Sequence, residues 1–140
     1  MNLTALALTG YITWFLLLLT GIVFIHTVLT LSGKRHANSF SPNGDDVSDF
    51  KLRLHRAHAN TLEAMPYIGG LLLLALATDN THVTDQLALP LLLARIMQST
   101  VHLISTSNLA VLVRFTFLSI QLAICFYWVT QFIQIFMHVV

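Results

Sequence analysis

Residues 50–77 read FKLRLHRAHANTLEAMPYIGGLLLLALA, and this stretch decides the fold. Its apolar run, which begins at Ala64 and reaches Thr78, is shorter than the roughly 20 residues that a helix needs to cross a bilayer. The helix spans a membrane only if it extends back through the charged half, which carries Arg56, Asn60 and Glu63 toward the membrane. Ionisable groups inside a membrane are costly, turn away from lipid and by default mark a functional site.

Three further apolar segments are long enough to span a membrane. They cover residues 3–31, 87–104 and 109–140. Arg95 lies at the middle of the third span along the chain, and Arg114 lies little more than one turn into the fourth. The first segment follows no basic region and is too long for the apolar part of a signal peptide, so we expect it to remain as a span.

Composition places the chain among integral membrane proteins, since 56% of its 140 residues are hydrophobic and only 9% are charged. At this length we predict one domain over residues 1–140, an all-α bundle of four transmembrane helices.

The net charge of +1 supplies no basic field for nucleic acid, so no such partner is expected. The seven histidines include no HxxxH pair, so we expect no metal site.

The distribution of basic residues predicts the orientation in the membrane. Four of them flank the connection at residues 32–50: Lys34, Arg35, Lys51 and Arg53. The connection at residues 78–85 contains two aspartates and no Lys or Arg. The positive-inside rule therefore puts the first and third connections in the cytoplasm and both termini on the other side. We expect a multi-pass protein of a bacterial inner membrane or of the endoplasmic reticulum.

Two predicted helices carry a polar face. On the second span Arg56, Asn60, Glu63 and Tyr67 follow one another at i, i+4, i+7 and i+11, which is one side of a helix. The third span has a similar face, made of Arg95, Gln98 or Ser99, and His102.

These faces are expected to meet in the cytoplasmic half of the membrane. With the orientation above, Arg56, Glu63 and His102 fall at similar depths; Arg114 joins them from the fourth span, and Arg95 lies deeper. Three arginines against one glutamate leave about two positive charges in a low-dielectric place, where unpaired charge is costly. An anion should therefore complete the site, and the planar fork of arginine suits a carboxylate. A small anionic, peptide-like ligand fits this set.

Structural roles for the same residues remain open. Glu63 can pair with Arg95 or Arg56 to hold helices together, and His102 can be a helix-end residue at the membrane interface. Three glutamines of the fourth span are typical of interhelical hydrogen bonds: Gln121, Gln131 and Gln134.

The segment RAHANTLEAMPYIGGLLLLALA at residues 56–77 resembles the second-helix signature of the MAPEG superfamily. These are membrane-associated proteins in eicosanoid and glutathione metabolism, and they include the microsomal glutathione transferases. The whole chain is similar in architecture, with four helices, a long first connection and an arginine inside the third helix. The resemblance implies a homotrimer in the lipid bilayer, with glutathione as co-substrate bound between neighbouring subunits near the cytosolic side.

The resemblance also implies residue roles. It makes Arg114 the catalytic arginine that stabilises the glutathione thiolate, and a cation beside a thiol does favour the ionised, nucleophilic form. The glutathione-binding residues that it implies are Arg56, Asn60, Glu63, Arg95, Gln98 and His102. Gln98 and His102 depart from the family pattern, because many members carry His or Tyr at the first place and Tyr at the second.

Three functions follow as expectations. The first is an enzyme that joins the glutathione thiolate to a lipophilic electrophile, or reduces a lipid hydroperoxide, with an apolar acceptor that enters laterally from the bilayer. The second is a non-catalytic lipid-binding or accessory membrane protein, because one branch of the family is a non-catalytic activator. The third is an unrelated four-helix membrane subunit whose buried charges are structural.

Overall fold

The fold is an all-α bundle of four long helices. The computed structural model describes residues 1–33 and 49–138, and its helices are α1 (Leu3–Leu31), α2 (Asp49–Ala77), α3 (Thr81–Ile104) and α4 (Asn108–His138). Each is long and apolar enough to cross a membrane, which confirms the prediction of four spans and a multi-pass membrane protein. Most of the predicted first connection, with Lys34 and Arg35, lies outside the described residues, as do residues 139–140.

Helix α3 begins at Thr81, earlier than the expected start at residue 87. The polar sequence at residues 78–85 was expected to be a connection throughout, but only residues 78–80 are outside a helix. Asp79 takes the left-handed conformation with φ of 58°, and the Asn80 side-chain amide donates to the Thr78 carbonyl at 2.9 Å, so the turn is tight. Two polar residues of this first part of α3, Thr84 and Asp85, face helix α1, where both contact the Thr4 hydroxyl.

Helix α3 is the centre of the bundle, because it packs against each of the other three helices. Helix α1 packs on α2 and α3, and α4 packs mainly on α3. The buried core includes Tyr11, Ile68, Leu91 and Trp128, with alanines between them that let the helices approach closely. Gly10 shows how close α1 and α3 lie, since a Cβ there would stand 2.6 Å from a Leu92 methyl carbon.

Helix α2 leaves Leu62 exposed and, beside it, a row of exposed residues that we call the α2 seam. Its residues follow at i, i+3, i+7, i+10, i+14 and i+17, and they are Arg56, Ala59, Glu63, Pro66, Gly70 and Leu73. This is the spacing of the a and d positions of a coiled coil, which face a partner helix. A seam with two charged residues is costly to leave against lipid.

Candidate functional site

Helices α2, α3 and α4 surround an open cavity of about 470 Å³, which we call the polar cavity. Its wall contains Arg56, Ala59, Asn60, Glu63, His102, Thr106, Val111 and Arg114. It lies at the end of the bundle where α3 ends and α4 begins, so three helices contribute to one space.

The expected convergence of polar side chains is observed. Arg56, Asn60 and Glu63 share one face of α2, as the helical spacing predicts. His102 reaches the cavity from the last turn of α3, and Arg114 reaches it from the second turn of α4. Five of the seven residues that the sequence singles out therefore line the same wall. Their roles toward a ligand stay predictions.

The remaining two, Arg95 and Gln98, do not line the polar cavity. Both are buried, with 1% and 5% of their surface exposed, and they lie behind the cavity wall among the helices. Direct contact between either side chain and a ligand stays a prediction.

Arg95 lies at the centre of a hydrogen-bond network that we call the amide layer, made of Asn60, Arg95, Gln98 and Gln121. Its Nη2 donates to Oδ1 of Asn60. Its Nη1 donates to Oε1 of Gln98 at 3.4 Å and to Oε1 of Gln121 at 3.3 Å. Gln121 Nε2 in turn donates to Gln98 Oε1 at 2.7 Å. The amide layer thus joins α2, α3 and α4 behind the polar cavity.

Gln121 is the member of the amide layer that sequence reasoning did not connect to the site. The sequence predicts it as an interhelical hydrogen-bonding residue, which is confirmed, but not as a partner of Arg95. Its position seven residues after Arg114 puts both on the same side of α4, and this spacing was the available signal.

Positive charge around the polar cavity exceeds negative charge. Within the described residues Glu63 forms no ion pair with Arg56 or Arg95. Arg95 is instead surrounded by neutral amide oxygens. The site therefore contains three guanidinium groups, those of Arg56 and Arg114 in the cavity wall and that of Arg95 behind it, but only one carboxylate in the wall, that of Glu63.

A second cavity continues the groove between α2 and α4. This apolar cavity has a volume of about 260 Å³, and its lining residues are Tyr67, Leu71, Leu122, Cys125, Phe126 and Val129. Tyr67 lies one helical turn after Glu63 on α2, so the apolar cavity begins about 6 Å further along that helix. The groove therefore offers charge at one end and an apolar surface next to it.

Comparison with known proteins gives one match. The model of the MAPEG family matches residues 7–133. The matched region contains every residue of the polar cavity, the amide layer and the apolar cavity. Neither a curated protein nor a solved structure matches the chain.

Proposed function

The chain belongs to the MAPEG family of membrane proteins in glutathione and eicosanoid metabolism, and from this premise we propose that it is a glutathione-dependent membrane enzyme. The proposed reaction is transfer of the glutathione thiolate to a lipophilic electrophile, or reduction of a lipid hydroperoxide. The observation that carries the proposal is the gathering of Arg56, Glu63, His102 and Arg114 around one cavity, with Arg95 behind it.

The surplus charge of the site suits this ligand. Arg56, Arg95 and Arg114 exceed Glu63 by two positive charges. Glutathione carries two carboxylates and one ammonium group, and it gains a further negative charge when its thiol ionises. Ionised glutathione therefore neutralises the surplus, whereas a neutral ligand would leave the buried guanidinium of Arg95 and the two on the cavity wall without counter-charge.

We assign Arg114 the role of stabilising the thiolate. A guanidinium near the sulfur lowers the free energy of the ionised form, which is the nucleophile. In the transferase reaction the sulfur forms a bond to carbon of the acceptor as the leaving group departs with the bonding electrons. In the peroxidase reaction two glutathione molecules are oxidised to their disulfide, and the hydroperoxide is reduced to an alcohol and water.

We assign the apolar cavity to the lipophilic acceptor. Its wall is built from apolar side chains of α2 and α4, and it adjoins the polar cavity along the same groove. An apolar molecule dissolved in the bilayer can reach it from the side, because α4 leaves much of its surface exposed along its length.

We propose that the protein assembles as a homotrimer around α2. The α2 seam supports this assembly, because its heptad spacing is that of a helix that packs against copies of itself. Ala59 and Gly70 on the seam are small, which favours close approach of helices within a membrane. Neighbouring copies would also cover Arg56 and Glu63.

A second candidate is a membrane protein that binds glutathione or a lipid without turnover. Gln98 and His102 favour it, because they stand at places where many members of the family carry His or Tyr and then Tyr. Gln98 Oε1 accepts from Arg95 and Gln121 inside the amide layer, so this oxygen does not serve a ligand in this arrangement.

The deciding experiment uses the full chain in detergent micelles. We expect glutathione to bind in titration calorimetry and to be conjugated to a generic aryl halide faster than in protein-free micelles. Binding without conjugation and without reduction of a lipid hydroperoxide would replace the enzyme by the second candidate. Absence of glutathione binding would exclude both. A sample inactivated by heat serves as the control for the micelle itself.

A further inference from the structure

We propose that Arg95 is a positioning residue that holds the Asn60 amide so that its Nδ2 donates a hydrogen bond into the polar cavity, to a carboxylate or carbonyl oxygen of the ligand. This inference rests on the proposed function and deepens it, because it states which atom of Asn60 meets the bound peptide.

The orientation of Asn60 follows from the chemistry of arginine. A guanidinium group has five N–H donors and no acceptor, whereas an amide has one accepting and one donating end. Arg95 Nη2 contacts Oδ1 of Asn60, so the oxygen faces the guanidinium and the nitrogen turns away from it. The reversed amide would set donor against donor and would leave a buried N–H of Arg95 without an acceptor, which is costly.

The guanidinium itself is held by two glutamines. Gln121 Oε1 accepts from Arg95, which leaves Gln121 Nε2 to donate to Gln98 Oε1 at 2.7 Å and to the Phe117 carbonyl at 3.0 Å. The same rule therefore orients each of these amides, because every oxygen that contacts Arg95 must be an acceptor.

The network is also dry, which makes its geometry hard to change. Arg95, Gln98 and Gln121 have 1%, 5% and 0% of their surface exposed. Hydrogen bonds are electrostatically stronger in such surroundings, and an unpaired polar group costs more there than in water. A flip of one amide would leave several of these groups unpaired at once.

Asn60 is the one member of the amide layer that also lines the polar cavity. Its oxygen is occupied by Arg95, and within residues 1–33 and 49–138 no acceptor contacts its Nδ2. Nδ2 is thus a donor on a wall that already offers the donors of Arg56 and Arg114. Glu63 is the carboxylate on that wall, so the ammonium group of the peptide belongs beside Glu63 and its oxygens belong beside Asn60.

The test uses Asn60→Asp in the full chain, with glutathione as the probe in titration calorimetry. Aspartate keeps an oxygen toward Arg95 and presents an oxygen to the cavity in place of the N–H donor. We expect the dissociation constant for glutathione to rise at least about tenfold, because a hydrogen bond to an ionised group is lost and an acceptor faces an anion. An unchanged or lower dissociation constant would overturn the inference, since the ligand would then present a donor to Asn60.

A second pair of variants separates positioning from general stability. Lysine is also a pure donor, so Arg95→Lys should keep the Asn60 orientation and bind glutathione within a few-fold of wild type. Arg95→Met removes the donor and should weaken binding at least about tenfold. Equal weakening in both variants would overturn the positioning role. Gln134→Leu, an exposed glutamine of α4, is the matched control and should bind like wild type.

These outcomes are distinct from failure of the proposed function. If wild type binds no glutathione, both the proposed function and this inference are wrong. If wild type binds and the Asn60 and Arg95 variants behave otherwise than expected, the inference alone is wrong.

Discussion

The carboxylate of Asp85 on α3 caps the first turn of α1 through Thr4. Its Oδ1 accepts the Thr4 backbone N–H at 2.9 Å and the Thr4 hydroxyl at 2.6 Å. The first N–H groups of a helix have no partner within that helix, and negative charge near them is favourable. Asn2 caps α1 from within its own segment by accepting from the Ala5 N–H, and Asp85 adds a second acceptor from another helix. One carboxylate thus joins α1 to α3 at the end of the bundle that lies opposite the polar cavity.

Asp85→Asn should destabilise the bundle without changing glutathione binding. The amide retains an oxygen but loses the charge, so we expect a loss of about 1–2 kcal/mol in the free energy of unfolding. Thermal unfolding in detergent micelles measures this loss. Asp79→Asn is the matched control, because Asp79 is exposed in the adjacent turn. Equal effects of the two substitutions would contradict the role of the cap.

Arg114→Ala should raise the pKa of the bound glutathione thiol, because it removes the positive charge assigned to the sulfur. Turnover at neutral pH should fall at least about tenfold and recover in part in alkali, where the thiol ionises unaided. Thiolate absorbance near roughly 240 nm, followed against pH, reports the ionised fraction directly. Arg114→Lys keeps the charge and should retain most of the thiolate. If Arg114→Ala ionises and reacts like wild type, the catalytic assignment fails.

Glu63→Gln should act on binding and assembly more than on the thiol. It removes the one carboxylate of the polar cavity and leaves three guanidinium groups without it. We expect weaker glutathione binding, because the ligand's ammonium group loses the carboxylate beside it, and a smaller trimer fraction, because copies that cover Arg56 would leave its charge without a counter-charge. Titration calorimetry and native mass spectrometry measure the two effects. A trimer as stable as wild type would show that Glu63 is not part of the contact between copies.

Gly70→Leu tests whether the α2 seam is covered by other copies. A Cβ on Gly70 meets no atom within 4 Å of the same chain, so the single bundle has room for a side chain there. If neighbouring helices pack on the seam, leucine should reduce the trimer fraction strongly and Gly70→Ala should reduce it less. Native mass spectrometry follows the series. A clean monomer in wild type would defeat the proposed assembly.

Orientation in the membrane can be tested by labelling of single cysteines. With a membrane-impermeant thiol reagent added on the cytoplasmic side, we expect Ser32→Cys and Ser107→Cys to be labelled. We expect His82→Cys to be labelled only after the membrane is permeabilised, as the positive-inside rule predicts. All three residues are exposed, and each lies in or beside a connection between helices. Native Cys125 is buried and serves as the internal background. Labelling of all three from one side would refute a four-span topology.

The sequence predicts most of the architecture because the bilayer sets the length of each helix. Helices α2 and α4 begin within two residues of their expected positions, because a polar connection precedes α2 and a short one precedes α4. The start of α3 is missed because Thr84 and Asp85 are typical of a connection. Their partner, Thr4, is 80 residues or more away along the chain, and local patterns do not reveal such a contact.

The sequence predicts which helix faces carry the residues of the candidate site, but it does not predict which of their side-chain atoms contact one another. Spacing places Arg56, Asn60 and Glu63 on one side of α2, and the structure agrees. Spacing does not say whether Arg95 reaches the cavity or lies behind it, because that depends on how far α2 and α4 stand from α3. The partnership of Arg95 with Gln121 depends on the same distance.

The amide layer contains no group that exchanges a proton near neutral pH. Guanidinium stays charged far into alkali, and the amides of asparagine and glutamine do not titrate at all. The charge that Arg95 adds behind the cavity is therefore constant across the pH range of a cell. A pH profile of ligand binding or turnover therefore contains no inflection from the amide layer, and every inflection belongs to the ligand or to a titratable side chain outside that layer.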